Sequence, residues 1–182
     1  MIRPLVGIAC PRKSCIAFEK TETALTLVGQ LRGQEPQNNR VSLLRDMHST
    51  RLLIADDDAT ARAMIRDFLE KDWEIVGEAE NGAEAVNAAE QLRPDILLMD
   101  ISMPVMGGFA AAKILKEKMP GLLIIFVSQH PDPAYVEEAF CVGGSGYVLK
   151  RLAVRDLTAA IEHVRAGGIF RSETGKHMIA EP

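Results

Sequence analysis

Residues 94–108 read PDILLMDISMPVMGG. Pro94 cannot continue a helix, and Ile96, Leu97, Leu98 and Met99 are apolar without alternation, which predicts a short strand buried on both faces. The apolar run stops on a charge, Asp100. It then gives way to Met103-Pro104 and Gly107-Gly108, a loop that hands the chain to an amphipathic helix over 109–119. A strand hidden on both faces needs cover on both faces. That is the arrangement of a parallel sheet sandwiched between helices.

The same unit recurs on either side. Leu52-Leu53-Ile54-Ala55 is a first apolar strand, followed by Ala61, Met64, Ile65, Phe68 and Leu69 at helical spacing. A second strand over 73–79 leads through Asn81-Gly82 into a helix over 83–92 that Pro94 ends. After the 94–108 stretch, Pro120-Gly121 closes the third helix, 122–127 is a fourth strand and 133–141 a fourth helix. Gly143-Gly144-Ser145-Gly146 is a turn, Tyr147-Val148-Leu149 a fifth strand and 154–166 a fifth helix closed by Gly167-Gly168. Strict alternation predicts an α/β fold, a doubly wound five-stranded parallel sheet with five helices and right-handed crossovers. Function in such sheets collects at the carboxyl ends of the strands.

Composition bounds the rest. The chain has 182 residues and net charge −4, room for one domain of about 120–150 residues with a surplus. The longest apolar run, 122–127, is far short of the roughly 18–20 residues that cross a bilayer, so no membrane span is expected. Three cysteines, Cys10, Cys15 and Cys141, do not make a secreted disulfide scaffold, and a cytoplasmic protein is expected. Charge divides the chain: residues 1–50 hold 7 Lys and Arg against 4 Asp and Glu, the remainder 14 against 21. The apolar stretch near residue 5 is too short for a signal peptide, and QLRGQEPQNNR over 30–40 reads as a connector. The division expected is an N-terminal extension over 1–49, poorly ordered or preceding a true start at Met47, a domain over 50–170, and a short tail over 171–182.

At the strand ends the pattern becomes chemical. Strand one delivers Asp56, Asp57 and Asp58, strand three Asp100, strand four Ser128 and strand five Lys150. Asp58 suits a helix cap. Two carboxylates 4 Å apart repel by roughly 4 kcal/mol at an effective dielectric near 20, so Asp56, Asp57 and Asp100 together call for a cation. Oxygen ligands without His or Cys suit Mg²⁺. Lys150 supplies a point charge for a phosphoryl oxygen, and an aspartate can itself accept phosphate as an acyl phosphate.

The order of these landmarks, Asp56-Asp57, Asp100 followed by Met103-Pro104 and Gly108, Ser128, Tyr147 and Lys150, resembles the receiver domains of response regulators over residues 51–170. The resemblance implies a flavodoxin-like sheet of order 2-1-3-4-5. It implies Mg²⁺ on Asp57, Asp100 and the backbone carbonyl of Ser102, with Asp56 helping directly or through water. Asp100 would be phosphorylated by a histidine kinase or phosphotransfer protein, Ser128 and Tyr147 would form the switch, and Lys150 would hold a phosphate oxygen. Catalysis would extend only to the domain's own phosphorylation and dephosphorylation. The switch would be read on the face of the fourth helix, fifth strand and fifth helix, by a downstream protein or by a second copy in a homodimer.

Two further resemblances bear on this reading. Asp56-Asp57-Asp58-Ala59-Thr60 fits the nucleophile motif of haloacid-dehalogenase-type phosphatases, with Asp56 as nucleophile. That family also needs a paired acidic motif after the lysine, where only Asp156 is in reach. The segment GYVLKRLAVRDLTAAIEHVRAGGIF resembles NarL-type receivers, which precede a LuxR-type helix-turn-helix. About a dozen residues follow Phe170, so direct DNA binding is not expected. A truncated regulator acting through dimerisation remains the alternative. Arg151 follows Lys150 where many receivers have proline, which argues against a cis peptide there.

Other signals are weak. The 143–146 glycine turn lacks a P-loop ending, His48, His130, His163 and His177 show no ligand spacing, and Cys10 and Cys15 have no second pair. His130 reads as a solvated loop residue near Ser128. Trp73 reads as a packing residue.

Overall fold

Apolar residues that alternate between two covered faces organise the structure, a computed structural model that describes residues 49–173. The N-terminal extension with the start at Met47, Cys10, Cys15 and His48, as well as His177, lies outside the described residues. The elements run β1 (Arg51–Ala55), α1 (Ala59–Leu69), β2 (Glu74–Ala79), α2 (Gly82–Leu92), β3 (Ile96–Met99), α3 (Gly108–Lys118), β4 (Leu123–Ser128), α4 (Pro133–Cys141), β5 (Gly146–Leu149), a 3-10 turn (Lys150–Leu152), α5 (Ala153–Arg165) and β6 (Phe170–Arg171).

The strands form one parallel sheet in the order β2-β1-β3-β4-β5-β6. Alternate side chains divide the core in two. Leu53, Ala55, Leu97, Met99, Ile124 and Phe126 face α2, α3 and α4. Leu52, Ile54, Ile96, Leu98, Ile125 and Val127 face α1 and α5. The β3 run is buried throughout because its four residues serve both cores. Trp73 is 8% exposed and packs in the second core, as its position suggested.

The sheet has six strands, not five: Phe170 and Arg171 add in parallel to β5, so the expected boundary at 170 cuts through a paired strand. A two-residue strand has no periodicity to read; the open edge of β5 creates it by offering unpaired backbone groups. On α1 the buried residues are Arg62, Ile65 and Leu69, while Met64, counted with the apolar stripe, is 56% exposed.

Asp58 caps α1, accepting from the Thr60 N–H at 2.8 Å, and Asn81 and Asp132 cap α2 and α4. All peptide bonds among the described residues are trans. No described helix is long and apolar enough to cross a membrane.

Candidate functional site

The site sits where β1, β3, β4 and β5 end. Parallel pairing aligns Ala55 with Met99, so Asp56 and Asp100 follow as neighbours, and the Asp100 N–H donates to the Ala55 carbonyl at 2.8 Å. Ligand oxygens of Asp56, Asp57 and Asp100 lie within 4.8 Å of one another. Lys150, on the 3-10 turn beyond β5, reaches across: Nζ is 2.7 Å from Asp56 Oδ2 and 2.9 Å from Asp100 Oδ2.

The three aspartates differ in surroundings. Asp56 is 1% exposed and Asp100 6%, whereas Asp57 is exposed. Asp56 Oδ1 accepts from the Asp58 N–H at 3.0 Å. Asp56 Oδ2 is buried without a well-aligned hydrogen bond, although Lys150 Nζ is close enough for charge attraction. Burial pushes the Asp56 carboxyl above its ordinary value, and Asp100 adds repulsion; Lys150 and the Asp58 N–H only partly offset this. For Lys150, burial pushes downward but the close carboxylates of Asp56 and Asp100 win, so its ammonium is held above its ordinary value. The charge therefore stays on the lysine.

The loop after β3 is shaped around Asp100. The Ile101 N–H donates to Asp100 Oδ1 at 2.7 Å, and Gly108 at the start of α3 packs so closely that a Cβ there would lie 2.1 Å from the Asp100 carbonyl oxygen. Gly82 N–H ties α2 to the loop through the Met106 carbonyl at 2.9 Å. Met103-Pro104 and Gly107-Gly108 thus lead the chain from Asp100 into α3.

Ser128 ends β4 fully buried, and Tyr147 on β5 is 1% exposed. Both meet the backbone of His130: its N–H donates to Ser128 Oγ at 3.1 Å, and the Tyr147 hydroxyl donates to its carbonyl at 2.7 Å. Burial raises the Tyr147 phenol above its ordinary value. The His130 ring stacks on Tyr135 at 4.3 Å between centroids, with Nε2 3.3 Å from Ser102 Oγ. His130 is therefore half-buried and engaged rather than a solvated loop residue. Ser102 is exposed on the loop two residues beyond Asp100.

Sequence reasoning missed Arg62 as well. It is 7% exposed, and its Nη1 donates to the Asp56 carbonyl at 2.7 Å. The legible signal was a cation on the stripe shared with Ile65 and Leu69. For His130 the only signal was closeness to Ser128.

An oxygen cage open to one side, with a lysine bridging two of its members, can hold a hard cation and an incoming anion together. Comparison with known proteins agrees with this geometry. The family model described as "Response regulator receiver domain" matches residues 52–162. The transcriptional regulatory protein DegU of Brevibacillus brevis is 34% identical over 121 residues, covering 65% of this chain and 51% of DegU. The chemotaxis protein CheY of Thermotoga maritima is 38% identical over 115 residues, covering 63% of this chain and 96% of CheY. Among solved structures, the isolated REC domain of RcsB from Salmonella enterica serovar Typhimurium, in the presence of phosphomimetic BeF3-, superposes with TM-score 0.64 at 30% identity, covering 69% of this chain and 95% of that one. The chain spans about half the length of the first curated relatives it matches, DegU and LnrK of Bacillus subtilis, at 51% and 55%. With its acidic cage, bridging lysine and the strands that carry them found in one matched segment, the chain belongs to the response regulator receiver domain family.

Proposed function

We propose that the domain over 50–170, extended to Arg171 by β6, is a phosphorylatable receiver in a two-component phosphorelay, with Asp100 as acceptor. The observation that carries this reading is the bridge of Lys150 between Asp56 and Asp100 beside the exposed Asp57. The donor set fits a divalent cation: carboxylate oxygens of Asp56, Asp57 and Asp100 cluster within 4.8 Å, with Asp57 exposed. Asp56, Asp57, Asp100 and the Ser102 carbonyl would hold Mg²⁺. When bound, the ion supplies neutralisation of the phosphoryl charge.

The chain's own residues do the remainder. An Asp100 carboxylate oxygen attacks the phosphorus carried by a histidine kinase or phosphotransfer protein, and the donor imidazole leaves. Lys150 exchanges part of its contact with Asp100 for a phosphoryl oxygen. Ser128 turns its hydroxyl toward the same group and releases the His130 N–H, so the contact of Tyr147 with His130 changes with it. Tyr135 and Val154, apolar and exposed on α4 and α5, offer surface where a protein partner or second copy reads the change. A kinase donor places the protein in the cytoplasm, and output through protein contacts is preferred to direct DNA binding.

The alternative nucleophile is Asp56, which at 1% exposed is less accessible than Asp100 at 6%. Incubation with acetyl phosphate and Mg²⁺, followed by intact mass, decides between them. Wild type and Asp56→Asn are expected to gain one phosphoryl group, the variant more slowly, and Asp100→Asn none. Phosphorylation of Asp100→Asn but not Asp56→Asn would overturn the proposal.

A further inference from the structure

Arg62 is a guanidinium placed where an apolar residue would be expected, on the inner stripe of α1 with Ile65 and Leu69. Burying such a cation is costly unless its donors are answered. Three are: Nε donates to Glu78 Oε2 at 3.1 Å, Nη2 to Glu80 Oε1 at 2.8 Å, and Nη1 to the backbone carbonyl of Asp56 at 2.7 Å. The glutamates lie on and just after β2, and Glu78 is shared with Arg66. Glu78 and Glu80 pair with the cation's charge. Only its directed hydrogen bond enters the acidic cluster.

We infer that Arg62 is a positioning residue for the cation site, acting through the peptide plane between Asp56 and Asp57. That plane is rigid, so a bond to the Asp56 carbonyl sets the rotation of the unit from which both side chains spring. Asp56 has other restraints, its N–H on the Ala79 carbonyl at 3.1 Å and Oδ1 on the Asp58 N–H. Asp57 is exposed, and no described side chain holds its carboxylate. Its aim therefore depends on the backbone that Arg62 grips. Because Glu78 and Glu80 pair with the guanidinium, Arg62 brings little net positive charge to the aspartates and acts on them through its bond to the Asp56 carbonyl. A strap that only joined α1 to β2 would need the two glutamates but not the carbonyl.

The inference rests on the metal reading above, and calorimetric titration of the full chain with Mg²⁺ tests it. Arg62→Met is expected to weaken Mg²⁺ affinity by about tenfold, the scale seen when groups orienting metal ligands are removed. Half-saturating Mg²⁺ for phosphorylation by acetyl phosphate should rise in parallel, while the rate at saturating Mg²⁺ stays within about twofold of wild type. Arg62→Lys, which keeps the charge but cannot fork between carbonyl and glutamates, should lose several-fold in affinity. It serves as the decisive variant if Arg62→Met does not fold. Wild-type affinity in a folded Arg62→Met, or in Arg62→Lys, overturns the inference and leaves the receiver proposal standing. Absence of Mg²⁺ binding by the wild type overturns both.

Discussion

A methyl group at Gly108 would sit 2.1 Å from the Asp100 carbonyl oxygen, with backbone rather than a movable side chain in its way. Gly108→Ala is therefore expected to cost about 1–3 kcal/mol in urea unfolding and to slow acetyl phosphate uptake, because relief requires moving Asp100 itself. Stability within error of wild type would contradict this packing. Val105, three residues before Gly108, shows the opposite balance. It has φ of 64° and is 89% exposed, so a β-branched residue occupies the left-handed region with almost no packing to compensate. Val105→Gly should raise stability by about 1 kcal/mol, relief of strain outweighing the added freedom of the unfolded chain. Asp100 and Lys150 were legible because a charge at the end of an apolar run is conspicuous. The role of Arg62 was not, despite its place on the apolar stripe, because its partners Glu78 and Glu80 are 16 and 18 residues away and only the fold brings them to α1.

Among the elements, β6 carries the largest departure from expectation. It is held by more than strand pairing: the Ser172 N–H donates to the Tyr147 carbonyl at 2.8 Å, the Leu149 N–H donates to Ser172 Oγ at 3.2 Å, and Ser172 Oγ donates to Asp156 Oδ2 at 2.5 Å. Asp156 of α5 is buried, and Arg155 holds its carboxyl below the ordinary 3.8, with burial opposing and Ser172 assisting. A carboxyl whose folded pKa lies below its unfolded one leaves the native state with fewer bound protons. Its contribution is present above the unfolded value and disappears as pH falls through the folded value. Asp156→Asn should therefore be less stable than wild type at pH 7 by urea unfolding, with the gap narrowing below about pH 4. A gap that stays constant down to pH 2.5 would exclude the ionised carboxylate as its cause. Helix positions were legible from periodicity and caps, as with Asp58, whereas β6 was called into being by the exposed edge of β5.

At the level of the whole molecule, Ser128 and Tyr147 both bond the backbone of His130, whose ring stacks on Tyr135 of α4, so under the receiver proposal a rearrangement at Ser128 would be passed to β5 and α4. The expected consequence is a change in association when the acceptor is loaded. Size-exclusion chromatography with Mg²⁺ and beryllofluoride, an acyl-phosphate mimic, should show a larger species than Mg²⁺ alone, and Asp100→Asn should abolish the difference. An unchanged elution volume for wild type that demonstrably binds beryllofluoride would argue against dimerisation as the output. The alternating layers were readable at this scale too, since strands apolar on both sides require helices on both faces.

The sequence alone determined the alternation of strand and helix, the burial of the strands, and the chemical identity of Asp56, Asp57, Asp100 and Lys150. Each is a local property, set by side-chain period or by a charge interrupting an apolar run. Tertiary structure decided which groups meet. Asp100 and Lys150 are 50 residues apart and touch only because their strands flank β4 in one parallel sheet. The same holds for the grip of Arg62 on Asp56, the bridge at His130 and the addition of β6. These depend on distances between elements, and such distances follow from packing two cores against one sheet rather than from any pattern along the chain.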